Sequence, residues 1–245
     1  MKRFLLFSLA ILSFGTTSAQ SEDHSKNNVI RWNMTPTLIS GTGSWVFGYE
    51  RVLSDSRSIS TNIGRIQFPL ISSFIKGDLA YKSTSKNNGL SFSADYRFYL
   101  TSRNKRSAPD GVYTAPFLLY YNFDLEHQFG YPTNQGVEYV GIGTDINAIT
   151  AGVELGYQFV FDERWTVDLI FIGPCFGLYT VNAGIEGDLP NNITESEAWS
   201  TARDFLLNSY PGVVDHFENG TFSKSGRSKS WGFNFRYVLQ VGYRF

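Results

Sequence analysis

The chain of 245 residues has a single cysteine, Cys175, two methionines and three histidines. One cysteine excludes an internal disulfide and a cysteine-rich metal site. With 21 basic against 22 acidic side chains and no Lys/Arg stripe, nucleic acid is excluded as an expected partner. No cofactor or metal motif stands out. Gly141-Ile142-Gly143-Thr144 lacks the Gly-Lys-Ser/Thr ending of a phosphate loop and reads as loop punctuation. Beyond Ala19 no apolar run reaches the roughly 18 residues of a membrane-spanning helix.

What is present is an aromatic content of 16%, arranged with a pattern. Met1 to Ala19 opens with Lys2 and Arg3, continues with an apolar run from Phe4 to Phe14, and ends in Thr17-Ser18-Ala19, small residues suited to cleavage after Ala19. Residues 1–19 therefore read as an export signal. Residues 20–28 form a polar lead-in, and residues 29–245 are one domain. Without its signal the chain holds 19 basic and 22 acidic residues.

Large apolar residues then recur at every second position, the period of a strand with unlike faces. Trp231, Phe233, Phe235, Tyr237, Leu239, Val241, Tyr243 and Phe245 alternate with Gly232, Asn234, Arg236, Gln240, Gly242 and Arg244. Leu90 to Leu100, Ile149 to Phe159, Ile30 to Leu38 and Trp45 to Leu53 read alike. Ser58 to Phe68, Val112 to Asp124 and Trp165 to Tyr179 carry apolar residues on both faces in places. The total is eight strands. Their connections are unequal: short near Ser54–Arg57 and Asp162–Arg164, medium at Ser102–Gly111, and long and polar at Leu70–Gly89, Leu125–Asn147 and Val181–Ser230, with the first outer link, Ser40–Gly43, short by exception. An even strand number with short turns at one end and long loops at the other is the pattern of bacterial outer-membrane barrels.

The expected fold is all-β, an eight-stranded antiparallel transmembrane up-and-down β-barrel. A short helix is predicted in the last outer loop, from about Glu195 to Asn208, where Thr194 and Glu197 form a capping box and Trp199, Ala202 and Leu206 share a face. An arginine facing lipid at the midplane costs roughly 2–4 kcal/mol, so the charged rows must point inward and the aromatic rows outward. Trp45, Phe92 and Trp231 are then expected toward the outer surface, and Trp32, Trp165, Tyr243 and Phe245 toward the periplasm. The barrel-interior charge network comprises Arg31, Arg97, Arg236 and Arg244 against Glu50, Asp95, Glu154 and Asp168. An eight-stranded interior is just wide enough for side chains to fill it, so a closed polar plug is expected rather than a channel. A water-soluble β-barrel or sandwich using the apolar rows as its core is the competing fold.

These features resemble the small eight-stranded outer-membrane barrels of the outer-membrane protein A and outer-membrane protein X type. Val241-Gly242-Tyr243-Arg244-Phe245 is similar to the terminal signature of that class, in which Tyr243 and Phe245 imply recognition by the barrel-assembly machinery. Gly48-Tyr49-Glu50-Arg51-Val52-Leu53-Ser54, Arg97-Phe98-Tyr99-Leu100, Gly111-Val112-Tyr113 and Pro116-Phe117 resemble an uncharacterised family of such barrels with a Tyr-Glu-Arg motif closing the second strand. The resemblance implies the bacterial outer membrane as location and its lipid as partner. The favoured expectation is a non-enzymatic protein, structural or surface-binding through its long outer loops. A small passive transporter comes second. A lipid A-modifying enzyme comes third, resting on His127 beside Glu126, which no His-x-Ser pair accompanies; His24 and His216 lie in polar segments.

Overall fold

The computed structural model describes residues 26–68, 80–133, 136–186 and 225–245. The export signal, most of the last long connection with its predicted helix at 195–208, His24 and His216 lie outside these residues.

Eight strands and one short helix follow in order: β1 (Asn28–Asn33), α1 (Met34–Ser40), β2 (Trp45–Ser54), β3 (Arg57–Ile66), β4 (Ala80–Tyr99), β5 (Gly111–Thr133), β6 (Gly136–Phe161), β7 (Trp165–Glu186) and β8 (Ser225–Arg244). Each strand pairs antiparallel with the next, and β1 pairs with β8, so the up-and-down sheet closes into a ring. Following paired residues around it from Asn33 leads through Val46, Gly64, Ser91, Tyr121, Ala148 and Tyr179 to Ser230. Ser230 lies ten residues along β8 from Gln240, the residue that Asn33 pairs with there. This stagger goes with strands tilted roughly 35–45° to the ring axis.

Two readings of the sequence change. Met34 to Leu38 belongs to a helix, not to the first strand. Asn33 caps α1, its side chain accepting a hydrogen bond from the Thr35 N–H at 3.1 Å, and Pro36, which has no N–H to lose, fits the first turn. The strands also run on into the long connections: β4 begins at Ala80, β5 and β6 stay paired from Gly111↔Gln158 to Thr133↔Gly136, and β7 and β8 reach Glu186 and Ser225. Polar residues on both faces remove the alternation there, while the main-chain ladder continues. At the other end the turns are tight, with Asp162 and Glu163 at positive φ between β6 and β7.

The outside of the ring carries apolar rows: Phe47 and Tyr49 on β2, Ile59 and Ile63 on β3, Phe92 on β4, Val153 and Leu155 on β6, Phe176 on β7, and Phe233, Phe235 and Tyr237 on β8 are all exposed. Each row stops abruptly in one direction. Along β4 the outward residues pass from Leu90 to Asn88 and Lys86, along β6 from Ile149 to Asp145, and along β8 from Trp231 to Lys229 and Arg227. Trp32 and Trp45, expected at opposite ends, stack with ring centroids 5.5 Å apart, because β1 is short and its outward row meets the start of β2.

Candidate functional site

The interior of the ring is polar, and every strand contributes to it. Inward positions along β4 hold Asp95, Arg97 and Tyr99; Arg31 comes from β1, Glu50 from β2, Ser58 and Ser60 from β3, Tyr113 from β5, Glu154 and Gln158 from β6, Asp168 from β7, and Arg236 and Gln240 from β8. All are buried, Arg97 and Asp168 completely.

Asp168 is the hub. It takes a hydrogen bond from Arg31 Nη1 at 2.9 Å, from the Tyr113 hydroxyl at 2.7 Å and from Gln240 Nε2 at 3.3 Å, and forms an ion pair with Arg97 Nη2 at 2.8 Å. Arg97 also donates through Nε to Asp95 at 2.6 Å and through Nη1 to Gln158 Oε1 at 2.8 Å, and its guanidinium lies 4.3 Å from the Tyr113 ring centroid. Glu50 accepts from the Ser58 hydroxyl and from the Tyr99 hydroxyl, the latter at 3.0 Å, and lies 3.4 Å from Arg31 and 3.7 Å from Arg97. Arg31 reaches Ser60 as well. A second pair sits beside this group: Arg236 Nη1 donates to Glu154 Oε2 at 2.7 Å, with its guanidinium 4.9 Å from the Phe117 ring centroid.

Seven of the eight charged residues read from the sequence thus share one interior. Arg244 is not brought into it: it sits at the rim of the same face, donating through Nε to the Lys26 carbonyl at 2.6 Å. The buried set is therefore three guanidiniums against four carboxylates. Sequence reasoning missed Tyr113, Gln158 and Gln240. Tyr113 was hidden because its inward row continues as Ala115, Phe117 and Leu119, which hides its face by residue type. The signal available was its pairing with Gly156, since a glycine inside a strand marks close approach of a neighbour. An ideal Cβ on Gly156 would lie 2.5 Å from the Tyr113 Cζ and hydroxyl, so the phenol lies against bare backbone.

Charged buried groups of this kind hold one another in place, since a guanidinium left without its carboxylate costs several kcal/mol. Val52, Tyr99, Ala108, Tyr113, Ala115, Ile170 and Val238 form an apolar cluster packed among and below them. Ala108 belongs to the connection between β4 and β5, and its N–H donates to the Asp55 carbonyl at 2.8 Å, tucking that loop under the ring. Phe117, Leu119 and Cys175 pack together with Tyr121. The Cys175 thiol is buried and lies 3.5 Å from the Asn234 carbonyl. Beyond these residues lies a cavity of about 380 Å³.

Of the remaining candidates, Tyr243 packs edge-on to Trp165 at 5.4 Å and accepts a hydrogen bond from Arg164 at 2.7 Å. Phe245 exchanges backbone hydrogen bonds with Asn28, its N–H donating at 2.8 Å, and exposes its ring. His127 lies in β5 opposite Ile142, far along the strand from the charged residues. Among the described residues no group of three or more His, Cys, Asp or Glu side chains is set to hold a metal ion, and no helix is long and apolar enough to cross a membrane. No known protein family, curated protein or solved structure matches the chain.

Proposed function

We propose that this chain is a small bacterial outer-membrane β-barrel, non-enzymatic, with a closed charged interior, whose work is structural or consists of binding at the polar strand extensions beyond the membrane. The observation that carries the reading is the inversion of faces: ion pairs inside, aromatic and aliphatic rows outside, with Phe235 half exposed and Arg97 wholly buried. In water such a continuous exposed apolar surface is a liability; in hydrocarbon it is what a barrel requires.

The width of the band supports the same reading. Leu90 to Phe98 on β4 spans nine residues and Ile149 to Phe159 on β6 spans eleven, against the roughly 9–11 tilted residues that cross a bilayer. Closure of the ring removes the exposed strand edges that hydrocarbon does not tolerate over most of the circumference. The likeness to the outer-membrane protein A and X type agrees with this architecture.

The filled interior favours a structural or surface-binding role over the passive transporter. Apolar clusters pack against the charged groups and fill the space around them, so a solute would have to break several buried ion pairs to pass. Two measurements test this. Folded protein in detergent is expected to migrate differently on a gel before and after boiling, and in a planar bilayer it is expected to give no stable conductance. Identical mobility contradicts the membrane barrel; a stable open pore contradicts the closed interior and favours the transporter.

A further inference from the structure

We infer that the cavity above Arg236 is a binding site for a single-chain amphiphile with an uncharged, hydroxyl-bearing head, which reaches it sideways through the seam between α1 and β8. The inference rests on the membrane reading proposed above and adds to it a ligand class and a route.

The seam arises from the early end of β1. Beyond Gln240 the edge of β8 that faced β1 has no strand partner among the described residues, and α1 occupies the place. Thr35 Oγ1 accepts the Leu239 N–H at 2.8 Å, which ties the base of the helix to the strand. Above that point the wall is helix against strand edge. Leu38 and Ile39 of α1 are exposed, 67% and 66%, and Ile39 lines the cavity together with the outward Phe235 and Tyr237.

The cavity is lined from both sides of the sheet. Asn62, Ser91 and Thr150 belong to the inner face and are buried, whereas Phe235 and Tyr237 belong to the outer, apolar row of β8 and Ile39 to α1. On the proposed route this space opens between α1 and β8, beside Ile39, Phe235 and Tyr237. Hydroxyls and amides therefore stand at the inner end and hydrocarbon at the outer, the polarity of an amphiphile lying head inward and tail outward.

Charge selects the head. Arg236, at the floor, is already paired with Glu154 at 2.7 Å. With its guanidinium so paired, Arg236 offers an anionic head no free cation, and the lining holds no other charged side chain, so an anionic head would be buried unpaired at a cost. An uncharged head meets no such penalty, and Ser, Thr and Asn side chains suit hydroxyl groups. Size limits the rest: at about 30 Å³ per water-sized group, 380 Å³ holds a small head and the first carbons of a chain.

The test uses the full chain, isotope-labelled and folded into phosphatidylcholine nanodiscs, titrated with 1-decanoylglycerol and, separately, with decanoate. Saturable shifts of the Asn62 and Asn234 side-chain amide signals are expected with decanoylglycerol, at least tenfold weaker with decanoate. Ser91→Phe, which fills the inner end, and Ile39→Trp, which narrows the mouth, are each expected to abolish the response; the effect is read in whichever variant keeps the heat-sensitive gel mobility of the folded protein. Insertion into nanodiscs with no saturable shift overturns the site alone, and an equal response to decanoate overturns the uncharged head. A response that persists in a folded variant also overturns the site. Failure to insert overturns the membrane reading and this inference with it.

Discussion

Arg31 and Asp168 stand 137 residues apart in the chain and meet at 2.9 Å inside the ring, one step from the seam where β1 closes onto β8. Asp168 neutralises Arg31 and Arg97 together, so its loss leaves two buried guanidiniums short of a partner. Asp168→Asn is expected to lower stability by about 3–5 kcal/mol, measured as urea unfolding of the folded protein in lipid vesicles. Arg31→Met combined with Asp168→Leu is expected to cost less than the two single changes added, by roughly 0.5–3 kcal/mol. Strict additivity would mean that the two side chains are not coupled.

Gly156 makes room for Tyr113. A Cβ there meets the phenol at 2.5 Å and the Leu169 carbonyl oxygen at 2.9 Å, so alanine must displace the hydroxyl that donates to Asp168. Gly156→Ala is expected to destabilise by about 1–3 kcal/mol. Gly232→Ala, whose nearest neighbour is the Tyr179 side chain at 3.0 Å, is expected to cost less. Equal losses at the two positions in the same unfolding measurement would remove the Tyr113 contact as the cause.

Depth along the outer face can be read with arginine. Leu118 is 58% exposed on β5 inside the apolar band, and Asp145 is exposed on β6 beyond its limit. In a water-soluble protein both positions would tolerate arginine alike. With hydrocarbon against the band, Leu118→Arg is expected to cost about 2–4 kcal/mol, while Asp145→Arg stays within roughly 0.5 kcal/mol. Refolding into vesicles followed by urea titration gives both values; the same small change at each would place Leu118 in water.

The parts of the fold legible in the sequence are those where one face is apolar and the other polar. Trp231 to Tyr243 on β8 and Leu90 to Phe98 on β4 show their faces residue by residue. The extensions do not, because Lys86, Asn88, Asp124 and Asp145 stand beyond the apolar rows where neither face is uniformly apolar, and pairing there is carried by the main chain. Met34 and Leu38 fall in strand register with Trp32 by coincidence; the cap from Asn33 and the proline at 36 decide for a helix. The interior charges were legible by face alone, since Arg97 and Arg236 alternate with large apolar neighbours along β4 and β8 and so share the polar side of each strand. Face does not fix height, so Arg244, on the same side of β8 as Arg236, stands at the rim instead of in the cluster. Tyr113 was not legible, since a phenol is large enough to read as an outer ring and polar enough to serve an inner carboxylate.

The central claim is that the ring-bearing rows touch hydrocarbon, and tryptophan fluorescence in vesicles tests it most directly. Trp45, Trp165 and Trp231 project from the outer face, 48%, 55% and 67% exposed. In vesicles of phosphatidylcholine brominated along the acyl chains, their emission is predicted to fall strongly relative to the same protein in unbrominated vesicles. Emission unchanged by bromination, with the protein recovered free of the vesicles, would contradict the account.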